Sequence, residues 1–432
     1  MKIIHQAMIA IVFILICAAA SAGEKGYTIE DAYKAALGTN ETVKMAEEDI
    51  LQSEFRVDQA WTHLYPRLDA RGAYTRFNDT LPPGGGAFIF QPTDQYSAGL
   101  VLTQPLYTGG RTYAALRTTQ KMLEVSKKGL TVSEQNIMIG VTEAFYGVLK
   151  AQKSIEISGR SLERMEHHKK VTEREAATRK SKANVSALLR ANTLVSQARI
   201  SLVRAEDGLK VAREKLSLLT RIPVDAELAE PKPSETPTDG IDKLMETAFT
   251  NREDYKSSQV NQNIAAENIT IVRGGHYPQV YAEAGLTYLH SVPETGMDAT
   301  SYYGGLRIQI PIFEGGLMKS EVAEARSKLR KSEFETLSMK RNIESEVHEA
   351  HINLRTIASV LDTARVQLGY ARENFDAVEG LFAEGLAPSL SLIDAEQALS
   401  FAEREIMNAT YDQQLAILRL RKSVGTLGKE DR

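Results

Sequence analysis

The 432-residue chain has one cysteine, Cys17, and beyond its N-terminus no helix-length run of apolar residues. Lys2, the apolar stretch Ile9 to Ile16 and the small residues Ala20-Ser21-Ala22 read as a secretory signal, residues 1–22, cut after Ala22. The expected mature protein, 23–432, therefore leaves the cytoplasm without a thiol and without a disulfide. Ile16 stands where lipid attachment at Cys17 would need a small residue, which argues against a lipid anchor. No later stretch approaches the roughly 18 to 20 apolar residues of a membrane-spanning helix. A membrane-spanning form of this chain must use strands.

Charge of one sign is also lacking. The net charge is −4, with 52 basic residues scattered among 56 acidic ones, which leaves no footprint for nucleic acid. No nucleophile elbow, phosphate loop or paired-cysteine motif occurs. Gly84-Gly85-Gly86 has no helix after it and reads as a loop tip. His167 and His168, and His348 and His351, lack a third ligand at a convincing spacing and read as solvated helix faces. The sequence offers no catalytic, cofactor or metal constellation.

Proline is absent from Arg111 to about Arg179 and from Leu317 to about Ala383. Each stretch can run as one helix of about 100 Å at about 1.5 Å rise per residue, too long for a compact globule. The helices turn back through Lys180 to Ala183 and through Glu384 to Pro388, and return over Asn184–Thr220 and Ser389–Val424. Leu194, Ala198, Leu202, Ala205, Leu209, Ala212, Leu216 and Leu219 recur along the first returning helix at a spacing that predicts side-by-side, coiled-coil-like packing.

The chain is a duplication. Tyr65-Pro66 opens an alternating stretch that ends in Gln104-Pro105-Leu106-Tyr107-Thr108-Gly109-Gly110, and about 200 residues on, Tyr277-Pro278 opens another that ends in Ile310-Pro311-Ile312-Phe313-Glu314-Gly315-Gly316. The first repeat spans 27–222 and the second 241–428, joined by a linker, 223–240, that carries Pro223, Pro231, Pro233 and Pro237. Two helices open each repeat, the first over Tyr27–Leu37 with Thr28 and Asp31 as N-cap partners. The predicted fold is mainly α, with two strand pairs at about 66–106 and 278–312.

Leu68, Ala70, Gly72 and Tyr74 alternate with Arg67, Asp69 and Arg71, and the other strands alternate likewise, including Leu306, Ile308 and Ile310 against Arg307 and Gln309. Strands of roughly 10 to 12 residues suit a tilted crossing of a bilayer. Tyr65, Phe77, Tyr96, Tyr107, Tyr277, Tyr302, Tyr303 and Phe313 lie near strand ends, where an interfacial aromatic girdle belongs. Asn78–Asp94 and His290–Thr300, with their proline and glycine, are the expected extracellular tips. The alternative is a secreted or periplasmic coiled-coil structural protein whose four-stranded sheet is soluble.

Four strands with one lipid-facing side leave two open edges, and unpaired backbone groups in hydrocarbon cost several kcal/mol each. Other copies of the chain must close them. Two chains would give eight strands and a filled interior, three would give twelve and a channel; Arg67, Asp69, Arg71, Glu283, Arg307 and Gln309 suit a wet lumen.

This duplicated plan, with its Tyr-Pro strand openings, its Pro-x-x-x-Gly-Gly exits, and Gly385-Leu386 followed by Leu392-Ile393-Asp394-Ala395, resembles the TolC-like outer membrane factor family across essentially the whole mature chain. The resemblance implies a homotrimer whose twelve-stranded barrel in the outer membrane continues into a long α-helical tunnel through the periplasm. It implies a passive exit duct for efflux or type I secretion, opened by a periplasmic adaptor and an inner-membrane RND or ABC pump, with outer-membrane lipid around the barrel. Cofactors are not implied.

The family closes its inner end with acidic residues just after the second turn-back. Asp394 matches the second acidic position, while Ser391 departs from the family's pattern at the first. Where relatives tie their helices with polar links this chain has Phe382, Ala387 and Ala187, so a closed state is expected to rest on packing. The tips that would meet the adaptor hold Lys180, Lys182, Gly385, Leu386, Ala387 and Pro388.

Overall fold

A computed structural model describes residues 26–78, 92–178, 182–292 and 299–428. The signal segment with Cys17, the tips of both strand loops and Lys180 lie outside the described residues, as do the side chains of 182–184. The elements follow in the order α1 (Ile29–Thr39), α2 (Glu41–Thr62), β1 (Arg67–Arg76), β2 (Asp94–Tyr107), α3 (Arg111–Thr178), α4 (Lys182–Thr220), α5 (Ile241–Asn251), α6 (Glu253–Gly274), β3 (Gln279–Val292), β4 (Ala299–Gln309), α7 (Leu317–Ala383) and α8 (Ser389–Ser423). Among the described residues no helix is long and apolar enough to cross a membrane.

The chain divides into two compact units, and each takes matching pieces from both repeats. One comprises the described residues within Met45–Leu130 and Glu253–Arg341, the other those within Met1–Lys44, Thr131–Arg252 and Asn342–Arg432.

The first unit holds a four-stranded antiparallel sheet in the order β1-β2-β3-β4. Its central pair joins the two repeats, so β1 and β4, one from each repeat, are the open edges. Residues directly opposite in an antiparallel pair share a face. The register Leu68↔Leu102↔Ala284↔Gly304 and Ala70↔Leu100↔Leu286↔Tyr302 collects the apolar residues on one side. There Leu68, Leu100, Leu102, Leu286, Leu306 and Ile308 are exposed. At the loop end of this face Tyr74, Tyr96 and His290 stack, with ring centroids 5.0 and 6.2 Å apart. The other face is polar, as the alternation predicts.

Two expectations need correction. Tyr303 is not in the outer girdle: the register Asp69↔Val101↔Gly285↔Tyr303 puts it on the polar face, where its ring occupies the space a Cβ on Gly285 would need. Nor does β4 reach Ile312, since it stops at Gln309. Pro311 has no N–H to donate, and an edge strand has no second partner to carry it on. The matching Pro105 stays within β2 because that strand is central, and a bulge between Pro105 and Tyr107 absorbs the missing donor.

Both strand exits explain their Gly-Gly motif. Gly109 and Gly110 have φ of 65° and 80°, and Gly315 and Gly316 have 62° and 88°, a pair of left-handed residues that swings the chain from strand to helix. Below the sheet, charge ties helices together: Arg117 donates to Glu267 at 3.1 and 2.8 Å, and Lys121 adds a bond of 3.2 Å. The Arg117 hydrogen bonds hold the Glu267 carboxyl below its usual pKa.

The second unit is helical. Thr28 and Asp31 form the expected capping box on α1, which buries Ile29, Ala32, Tyr33 and Ala36. These meet Val141, Phe145 and Val148 of α3, Leu216 of α4 and Leu418 of α8 in one core. The Tyr33 hydroxyl shares a buried hydrogen bond of 2.7 Å with Thr142. The proline-rich linker is extended and pinned: the Tyr27 N–H donates to Glu227, the Tyr411 hydroxyl to Glu230, and the Ser234 N–H to Gln414. Burial, and then the Glu230 carboxylate, raise the Tyr411 pKa.

Candidate functional site

The turn between α7 and α8 gathers most of the residues expected to form a gate. Gly385 has φ 75° and ends α7: its N–H donates to the Phe382 carbonyl at 3.0 Å, and the Leu386 N–H reaches back to Leu381 at 2.8 Å. This pair of bonds satisfies the last carbonyls of the helix, and only glycine adopts that conformation without strain. Pro388, in extended conformation, then caps α8.

Leu386 and Pro388 are exposed at the turn, and Ala387 packs partly against the core beneath. Asp394 is exposed on α8, one turn beyond the half-buried Ser391. Phe382 is placed otherwise. It is 6% exposed and packs with Phe375, Leu392, Ala395 and Leu399, so within the chain it belongs to the core of the hairpin. Lys182 begins α4, away in sequence from the second turn.

His168 departs from the solvated-face reading. It is 1% exposed, its ring lies 5.1 Å from the Phe382 ring, and its Nε2 shares a 2.8 Å hydrogen bond with the Ser389 hydroxyl at the start of α8. Its Nδ1 is buried without a partner. Burial, with the neighbouring His167 adding to it, lowers the His168 pKa. His348, on α7, is exposed.

A buried ionic cluster just beyond Asp394 has no counterpart in the reading from sequence. Arg164 of α3 donates to Glu396 at 3.1 and 3.3 Å, to Ser400 at 3.2 Å and to Glu403 at 3.5 Å. Ser161 and Ser400 also donate to Glu396, at 2.8 and 2.7 Å, and Arg160 pairs with Glu403 at 3.3 Å. Glu396 and Glu403 are only 3% and 7% exposed. Two guanidiniums against two carboxylates leave the cluster neutral, and the hydroxyls fill the remaining lone pairs, as burial of charge requires. The sequence does carry a signal for it. Glu396, Ser400 and Glu403 recur at helical spacing inside the stripe of Leu392, Ala395, Leu399 and Ala402.

A sheet with one lipophilic face, joined in sequence to helices of 68 and 67 residues, defines a class of outer-membrane channel protein with a periplasmic helical extension. Comparison with known proteins agrees. The sequence pattern of the outer membrane efflux protein family matches residues 32–220 and 244–426, one match per repeat, and the chain belongs to that family. It is 23% identical over 353 residues to outer membrane protein TolC of Vibrio cholerae, covering 78% of each chain. It is 22% identical to the probable outer membrane lipoprotein SilC of Salmonella typhimurium, covering 90% of this chain and 84% of that one. Among solved structures, CusC superposes with a TM-score of 0.80 at 16% identity, covering 94% and 95% of the two chains. VceC of Vibrio cholerae superposes with 0.78 at 14% identity, covering 92% and 96%.

Family membership makes this an outer-membrane protein and an exit channel of efflux or secretion. The alternative of a secreted or periplasmic protein with a soluble sheet is thereby overturned.

Proposed function

We propose that three copies of the chain form one passive duct, each adding four strands to a twelve-stranded barrel and its long helices to a tunnel through the periplasm. The observation that carries this reading is the open sheet: β1 and β4 are unpaired edges beside an exposed apolar face. Hydrocarbon tolerates such edges only when neighbouring strands close them, and twelve strands leave room for a wet lumen.

The duct works with a periplasmic adaptor that meets the turns around Lys180, Lys182, Gly385, Leu386, Ala387 and Pro388, and with an inner-membrane RND or ABC pump that supplies the energy. The exposed Leu386 side chain at a rigidly capped turn supports the contact. Relatives named for both kinds of system support the two pump classes: a toluene efflux pump outer membrane protein of Pseudomonas putida and the alkaline protease secretion protein AprF of Pseudomonas aeruginosa. Asp394, exposed on α8 beside Ser391, is the gate carboxylate of this reading, and three copies form a ring that collects cations.

The test is to measure subunit number and conduction of the purified protein. The expected result is a trimer that conducts ions in planar bilayers, with block by multivalent cations weakened in Asp394→Ala. A monomer in detergent that passes no current overturns the duct, and unchanged cation block removes Asp394 from the gate.

A further inference from the structure

The polar face of the sheet holds a cavity of about 600 Å³ whose wall includes Arg67, Asp69, Arg71, Tyr281 and Arg307 from the strands and Arg111 from the start of α3. Its charge is unbalanced. Arg67 spends its charge on Asp69 at 2.8 Å, and Arg307 on Glu283 at 2.9 Å while lying 5.2 Å over the Tyr281 ring. These two carboxylates pair with two of the four guanidiniums. Arg71 and Arg111 have no ion pair among the described residues, and both are exposed to the cavity. Arg111 also heads a long helix, whose N-terminal dipole adds positive potential at the same place.

We propose that this cavity is an anion-binding station on the inner face of the barrel, selecting cargo or co-ions that carry phosphate or carboxylate groups. Arg71 and Arg111 make the contact and carry the excess charge, while Arg67 and Arg307 stay paired with Asp69 and Glu283. A guanidinium suits this task because its planar fork binds two oxygens of such a group at once. Low-dielectric walls around a cleft of one sign focus its field, and three copies around one lumen triple the effect. The inference rests on the duct reading above, in which the polar face lines the channel.

Sodium tripolyphosphate is the probe, added to either side of single channels in planar bilayers. The wild type is expected to be blocked, and the half-blocking concentration is expected to rise about tenfold in an Arg71→Gln, Arg111→Gln double variant. An Arg71→Lys, Arg111→Lys variant keeps the charge but loses the two-oxygen fork, so its half-blocking concentration should fall between those of the wild type and the glutamine variant. Conducting wild-type channels that tripolyphosphate does not block, or a glutamine variant blocked as strongly as the wild type, overturn the anion station and leave the duct standing. A wild-type protein that passes no current overturns both.

Discussion

The two returning helices, α4 and α8, occupy equivalent places in the two repeats and carry the same apolar periodicity, yet they are covered very differently. On α8, Leu392, Ile393, Ala395, Leu399, Ala402, Ala409, Ile417 and Leu420 are buried within the chain. On α4 the predicted stripe from Leu194 to Leu219 turns inward, but Val185, Leu189, Ile200, Val203, Val211 and Leu218 remain exposed, Val211 at 70%. The contacts to α3 differ in kind as well. Arg164 meets α8 in a buried cluster, whereas Arg199 of α4 meets Glu166 at 3.2 Å with both side chains largely in solvent. Duplication therefore preserved the helix but not its environment. One copy buries most of its apolar residues inside the chain, with Leu390 and Phe401 left exposed, and the other keeps an apolar face that suits a neighbouring copy.

Breaking the α8 side should have the largest effect. Arg164→Ala leaves Glu396 and Glu403 buried beside fewer partners, and loss of one member of a buried ionic cluster typically costs about 3–5 kcal/mol. The expected outcome is a thermal midpoint in detergent lowered by several degrees. A midpoint equal to that of the wild type would mean that the cluster adds nothing to the hairpin.

On α4 the expected damage is to assembly and not to folding. Val211→Asp puts a charge on the uncovered face, so the variant should keep its helical circular dichroism and lose the trimer band in native electrophoresis. If the trimer persists, that face is not an interface between copies.

His168 sharpens the comparison through pH, because it joins α3 to the first residue of α8. Its folded pKa lies below the usual value of 6.5, so the unfolded chain binds the proton more readily. This contribution to stability is complete above 6.5 and is lost as pH falls from there through the folded pKa. His168→Gln should flatten the dependence of the thermal midpoint between about pH 7 and pH 5. A variant with the wild-type slope would clear His168 of that role.

The smallest effect belongs to Arg199→Ala. An exposed pair of this kind contributes about 0–1 kcal/mol, so its midpoint should stay close to that of the wild type. A loss as large as that from Arg164→Ala would erase the distinction between the two helices.

Much of this architecture could be read along the chain. The change of period at Pro66 and Pro278 marked the strands, the absence of proline marked the long helices, and Thr28 with Asp31 marked the first cap. Each is a local signal, set by backbone sterics or by side chains a few residues apart. The candidate site was less legible. Asp394 and Gly385 stood out by pattern, but the burial of Phe382 and His168 did not, since an aromatic or histidine on a helix does not announce which neighbour will cover it. The Arg164 cluster joins residues more than 230 positions apart, beyond the reach of any helical period.

Local chemistry was therefore enough to set the elements, their duplication and the two-faced strands, because alternation, capping and proline act over a few residues. Tertiary structure alone decided which repeat supplies each edge of the sheet, which arginines keep a free charge in the cavity, and which returning helix is buried. Those outcomes depend on register and packing between segments far apart in the chain, where a shift of one residue changes the face that a side chain presents.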